Sequence, residues 1–184
     1  MKKYIRPVII VILLLTLDRW SKMWILSHLT GREMTVLPFL KFTYAENTGV
    51  AFGMLQNNNT VLLILTVAIL CYLVLFRRQF LTKHPASGWG FWFVISGALG
   101  NIWDRCTIGF VVDFINLSFF PAIFNVADSA ITVGACLLGW GLLADPADKK
   151  QPGKTWADKK TNSREKESGH KADSENAKLG EDKK

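Results

Sequence analysis

The sequence predicts an all-α integral membrane protein, four transmembrane helices followed by a charged cytoplasmic tail. Three observations predict it: the placement of charge, the number of long apolar stretches, and the side on which the basic residues fall. Of the 184 residues, 49% are hydrophobic and the formal net charge is +7. The last 40 residues hold 11 of the 22 Lys+Arg and 9 of the 15 Asp+Glu, which leaves 17 charges in the first 144. Soluble domains carry about 25% charged residues throughout. The body is therefore no simple soluble globule. Its basic residues form no aromatic-interleaved stripe, so the basic balance does not point to nucleic acid.

Four stretches are apolar and long enough for a hydrocarbon core ~30 Å thick, which takes ~20 helical residues. The first spans about 7–26: aliphatic over Val8–Leu17, then carrying Asp18, Arg19 and Lys22. Its flanking Lys2, Lys3 and Arg6 resemble the start of a leader, but no small-x-small site follows, so an uncleaved helix is expected. The second (60–76) is uncharged, the third (89–104) is rich in aromatic and small residues, and the fourth (124–144) holds one charge, Asp128. Lys2, Lys3, Arg6, Arg77, Arg78, Lys83 and the tail's Lys149 and Lys150 fall on one side, which the positive-inside rule makes cytoplasmic. Both termini then lie inside, and loops 27–59 and 105–124 face outward. The division expected is a membrane body over 1–144 and a polar tail over 145–184, too poor in apolar residues to offset its ordering entropy.

An ionisable group in a membrane span marks a functional site by default. Asp18, Asp104 and Asp128 sit at the outer ends of their helices, and Asp113 lies in the outer loop within Phe110-Val-Val-Asp-Phe-Ile115. Gly97, Asn101 and Asp104 share one helical face, Asn125 and Asp128 another, and Asp18 and Lys22 form an i, i+4 acid–base pair. Ser96 and Gly100 form a small-xxx-small pair suited to close helix approach. In the first outer loop Phe39–Ala45 alternates like a strand and leads into Glu46-Asn-Thr-Gly49. Asn-x-Gly reads either as a turn or as amides placed to bind an extended peptide.

Cys71, Cys106 and Cys136 lack CxxC spacing, and His28, His84 and His170 are scattered, so neither metal nor other cofactor is expected. Nucleophilic routes through Ser–His or Cys–His lack parts. Paired carboxylates remain. Two held together in a poorly solvated place share a proton; one activates water as general base while the other polarises a carbonyl. Asp113–Asp128, Asp104–Asp128 and Asp104–Asp113 are all open as the pair.

Five motifs, in order along residues 5–144, resemble the bacterial lipoprotein signal peptidases (signal peptidase II, family A8 aspartic peptidases). They are Asp18-x-x-Ser-Lys22, Asn47-x-Gly-x-Ala-Phe52, Gly97-x-x-Gly-Asn-x-x-Asp-Arg105, Val111-Val-Asp-Phe114 and Phe124-Asn-x-Ala-Asp128. The resemblance implies four transmembrane helices with a small extracytoplasmic β-cradle, and a catalytic pair at Asp113 and Asp128. It casts Asn47, Asn101, Arg105 and Asn125 as groups that position substrate or pair, and Asp18, Lys22 and Asp104 as supports of the polar network. It further implies an inner-membrane protease that cleaves prolipoproteins before a diacylglyceryl-modified cysteine and that globomycin inhibits. Ser96 stands where the family often has Gly, and nothing in the family pattern carries over to the tail. The rival class is a small transporter or channel subunit, which predicts carboxylates spread through the membrane depth rather than gathered at one face.

Overall fold

The computed structural model describes residues 2–49 and 58–145; Val50 to Asn57, with Ala51 and Phe52 of the second motif, and the tail from Pro146 lie outside the described residues. The described chain runs through helix α1 (Lys2–His28), strands β1 (Glu33–Leu37) and β2 (Leu40–Asn47), helix α2 (Asn59–Leu75), the single turn α3 (Arg77–Phe80), helix α4 (Pro85–Thr107), strand β3 (Val111–Leu117) and helix α5 (Val126–Leu143). It is mostly helical with one small sheet. The long helices follow the four apolar stretches in order, with shifted ends. The third stretch, expected over 89–104, is helical from Pro85, because His84 caps the start by accepting from the Ala86 N–H and Pro85 needs no donor there. The fourth was expected from 124. Phe124 instead bridges to Ile115 and Asn125 is the N-cap, so Asp128 falls in the first turn.

By length and composition, one described helix is long and apolar enough to cross a membrane, Val126–Leu143; Asn59–Leu75 is a shorter apolar helix. At 1.5 Å per residue α1 and α4 reach ~40 and ~34 Å, but both carry charges toward their C-terminal ends. Large apolar side chains stay exposed along the helices, among them Ile12, Leu13 and Leu17 on α1, Ile64, Leu65 and Ile69 on α2, and Val133 and Trp140 on α5. So much exposed apolar surface is foreign to a soluble monomer.

Small residues set the helix packing. A Cβ on Gly97 would collide with the Ala127 carbonyl, and one on Gly134 would lie 2.8 Å from the Gly90 oxygen, so α4 and α5 approach backbone to backbone. The sheet has the order β1-β2-β3 and is antiparallel throughout. Strand β2 is the stretch that alternates in the sequence. Strands β1 and β3 were not foreseen: the Val111–Phe114 run is buried residue after residue, which hides its period of two. Gly109, at φ +85°, turns the chain from α4 into β3 in a conformation that L side chains rarely adopt. Val112 and Phe114 then pack against Ile25 of α1 and Leu29 just after it. Alternation along the strand sends Asp113 to the other face.

Candidate active site

The polar groups of α1, α4, β3 and α5 form one buried network, and its centre is Lys22. This ammonium is fully buried, and its three donors meet three acceptors: Asp18 Oδ2 at 2.8 Å, Asp104 Oδ2 at 2.9 Å and Asn101 Oδ1 at 3.2 Å. Asp104 is paired a second time, to Arg19 at 3.2 Å, so two buried carboxylates face two cations. The i, i+4 pair of α1 is thus no closed local ion pair; Lys22 ties α1 to α4.

Each of these two carboxylates also grips backbone. Asp18 Oδ1 accepts from the Ala127 N–H at 2.9 Å, and Asp104 Oδ2 accepts from the Val112 N–H at 3.3 Å. Ala127 precedes Asp128 and Val112 precedes Asp113. Both remaining aspartates are therefore held by the residue before them, and both holders are clamped by Lys22.

The side chains of Asp113 and Asp128 meet amides. Asn125 Nδ2 donates to Asp113 Oδ1 at 2.7 Å, and Asn47 Nδ2 donates to Asp113 Oδ2 at 2.7 Å. Asn101 Nδ2 donates to Asp128 Oδ1 at 2.8 Å, and Asn125 Nδ2 reaches Asn101 Oδ1 at 3.3 Å. The amides of Asn125 and Asn101 thus bridge one carboxyl to the other. Asn125 also builds the start of α5: its Oδ1 accepts from the Asp128 N–H, while Asp128 Oδ2 accepts from the Asn125 N–H. This reciprocal capping box fixes the Asp128 rotamer, and the helix N-terminus favours a carboxylate there.

Among the described residues, ion pairs engage Asp18 and Asp104 but neither Asp113 nor Asp128. The last two are met by amide donors, whereas Asp104 is held by Lys22, Arg19 and the Val112 N–H. Asp113 is buried, and that burial, reinforced by the neighbouring Asp128 carboxylate, pushes its pKa up to about 7 against the pull of the Asn47 and Asn125 amides. Asp128 is half-buried and is the more open member.

Asn47 makes the turn of its motif. Its Oδ1 accepts from the Gly49 N–H at 3.0 Å, making the turn, and its Nδ2 serves Asp113, so that amide nitrogen is committed to the site. Arg105 is half-buried within electrostatic range of Asp128, Asp113 and Asp104, yet its buried Nε finds no hydrogen-bond partner among the described residues. Thr132 lies on the exposed side of α5, where its hydroxyl donates to the Asp128 carbonyl. Sequence reasoning missed Arg19 as the second partner of Asp104. Its signal was the cost of an unpaired cation inside a span, which demands an acid from another helix.

A family model described as signal peptidase (SPase) II matches residues 10–144. The lipoprotein signal peptidase of Caldanaerobacter subterraneus subsp. tengcongensis is 38% identical over 135 residues, covering 72% of this chain and 92% of its own length. That of Streptococcus agalactiae serotype Ia is 40% identical over 146 residues, covering 75% and 92%. A solved bacterial membrane enzyme superposes with a TM-score of 0.68 at 31% identity, over 82% of this chain and 93% of that one. A match over nearly the whole body, from sequence and from fold alike, means that the chain belongs to the signal peptidase II family.

Proposed function

We propose that this protease removes signal peptides from prolipoproteins by aspartic catalysis, with Asp113 and Asp128 as the pair that activates water. The observation that carries the assignment is the division of labour among four carboxylates. Asp18 and Asp104 are spent on Lys22, Arg19 and backbone N–H groups; Asp113 and Asp128 meet only amides and share a bridge. The unprotonated carboxylate takes a proton from water as its oxygen attacks the scissile carbonyl carbon. The protonated partner donates to the carbonyl oxygen, giving a tetrahedral diol. On collapse one diol hydroxyl returns its proton to the partner aspartate, the C–N bond breaks, and the departing amine takes the proton held by the general base, restoring the pair. With its pKa near 7, Asp113 exchanges its proton at neutral pH. Asn47, Asn101 and Asn125 hold the two carboxyls at a fixed separation, and the charge of Arg105 beside both suits it to position the peptide.

The membrane setting belongs to the same proposal: α1, α2, α4 and α5 span the bilayer as a 1–144 body, with both termini and the 145–184 tail cytoplasmic. The exposed apolar faces support this, as does the basic loop holding Arg77, Arg78 and Lys83. The network joins the C-terminal ends of α1 and α4 to the N-terminal end of α5, one end of the bundle, as a protease at the outer interface requires. A proton-relay transporter would spread such groups through the membrane depth. A substrate anchored there by a diacylglyceryl-cysteine presents its peptide at this level, and a globomycin-type cyclic peptide occupies the same place. The test is cleavage of a diacylglyceryl-modified prolipoprotein by the purified protein. Asp113→Asn and Asp128→Asn each abolish cleavage before the lipidated cysteine while the protein stays folded; near-normal turnover by either folded variant overturns the pair.

A further inference from the structure

Between the C-terminal halves of α1 and α4 runs an open groove of about 700 Å³. Its floor and walls are apolar, with Leu15, Leu99 and Ile102 toward the middle of the helices and Met23 and Trp103 toward their C-terminal ends. It is separate from the aspartate pair: neither Asp113 nor Asp128 lines it, and Lys22, Asn101 and Asp104 of the network are buried and do not line it either. One charge is presented to it. Arg19 lines the groove with its side chain 39% exposed, and among the described residues its one ion pair is from Nη1 to Asp104, so one of its five guanidinium donors is engaged there. Asp18 also lines it but is 4% exposed and neutralised by Lys22. Trp20 and Trp103, both exposed, border the groove as tryptophans do at the level of lipid head groups. A smaller groove of about 350 Å³, lined by Ile10, Leu13, Leu14, Trp89, Phe93 and Leu137, has no charged wall at all.

From these features we infer that the α1–α4 groove is a binding site for an anionic phospholipid, its phosphate on Arg19 and one acyl chain lying along Leu15, Leu99 and Ile102. The inference rests on the membrane reading of the four helices. Apolar walls at Leu15, Leu99 and Ile102 match an acyl chain in a groove that opens to hydrocarbon. An exposed guanidinium at the head-group level favours an anion over a zwitterion, since Arg offers several directed donors to phosphate. The site sits one ion pair from the strand carrying Asp113, because Arg19 shares Asp104 with the Val112 N–H.

The test uses the full chain reconstituted in phosphatidylcholine vesicles with trace spin-labelled phosphatidylglycerol or spin-labelled phosphatidylcholine. The motionally restricted fraction of each label gives their relative affinities without any substrate. Wild type is expected to prefer phosphatidylglycerol about fivefold, the effect of one basic side chain beside an anionic head group. Arg19→Gln removes the preference and Arg19→Lys restores part of it. Thr16→Trp, which fills the exposed inner end of the groove and leaves Arg19 intact, lowers the restricted fraction of both labels. Equal binding of the two lipids by wild type overturns the proposal, as does a preference that survives Arg19→Gln. Failure of the chain to enter vesicles overturns the membrane reading as well. A peptidase that proves inactive leaves the lipid result readable, so the two failures are distinct.

Discussion

Replacing Lys22 by Met tests the whole organisation of the site, because three acceptors lose their donor at once. Met has nearly the volume of Lys without its charge. In Lys22→Met the carboxylates of Asp18 and Asp104 and the carbonyl of Asn101 remain buried where Lys22 Nζ met them at 2.8, 2.9 and 3.2 Å. Arg19 still answers Asp104, so the uncompensated charge is one carboxylate. Breaking a buried pair by removing one partner costs ~3–5 kcal/mol, a large share of a folding free energy of ~5–15 kcal/mol. The second variant, Asp18→Asn with Lys22→Met, makes the cluster neutral again and keeps an oxygen for the Ala127 N–H. It is expected to recover ~2–3 kcal/mol relative to Lys22→Met, which appears as coupling in the double-mutant cycle. The assay is reversible unfolding in mixed micelles with rising dodecyl sulfate, read by near-ultraviolet circular dichroism at pH 7. Both variants lose most peptidase turnover, because the Asn101 amide that holds Asp128 has lost its anchor. A Lys22→Met protein within ~1 kcal/mol of wild type, or a double variant less stable than the single one, refutes the central role of this ammonium.

Three further outcomes follow from the geometry. Asp113 has a folded pKa of about 7 against an unfolded value of 3.8, so the folded state binds the extra proton between the two; stability falls as pH rises across that window and is flat above it, and Asp113→Asn removes this slope from a pH series of unfolding curves. Catalysis through a protonated member of the pair likewise gives kcat/KM an alkaline limb near pH 7. Gly97→Ala drives a methyl into the Ala127 carbonyl and pulls apart the 2.8 Å bond from Asn101 to Asp128, with turnover expected to fall at least tenfold; Gly139→Ala, with nothing within 4 Å of the new methyl, is neutral in the same cleavage assay. Asn125→Ser separates the two duties of that residue. Serine still caps α5, so the helix start is kept and the stability loss is held to the ~1–3 kcal/mol of a buried acceptor left without its donor, but serine cannot reach Asp113 Oδ1, and turnover drops in the cleavage assay.

What was legible in the sequence was what lipid makes expensive. A charge in an apolar stretch announces itself, so Asp18, Lys22, Asp104 and Asp128 could be singled out before any fold was known, and helical periodicity placed Asn101 on the face of Asp104 and Asn125 on that of Asp128. The same rule, applied to Arg19, called for a partner that local spacing does not supply. That partner is Asp104, 85 positions away, and a contact at that separation has no periodic trace. Strand β3 was hidden for a related reason. Alternation is visible only when one face is wet, and Val111–Phe114 is buried on both. The proposed choice of Asp113 and Asp128 among three carboxylate pairs was hidden from the sequence in the same way. Asp104 and Asp113 are alike as residues and both lie beside apolar neighbours in the sequence; what separates them is that two cations from α1 converge on one and two amides on the other.

On the proposed assignment of Asp113 and Asp128, the two backbone contacts give the second pair of aspartates beside them a purpose. A carboxylate that must stay ready to trade a proton cannot be held by a strong cation, since the ion pair would pin it as the anion. Amide donors hold more gently, but they leave the position of the carboxyl to the backbone. Asp18 and Asp104 supply that position: they carry the charge–charge contacts to Lys22 and pass only a neutral hydrogen bond, through Ala127 and Val112, to the residues next in line. The strong electrostatics thus sit one residue away from the proposed chemistry, and Asp113 and Asp128 are fixed in space through backbone contacts that carry no charge to them.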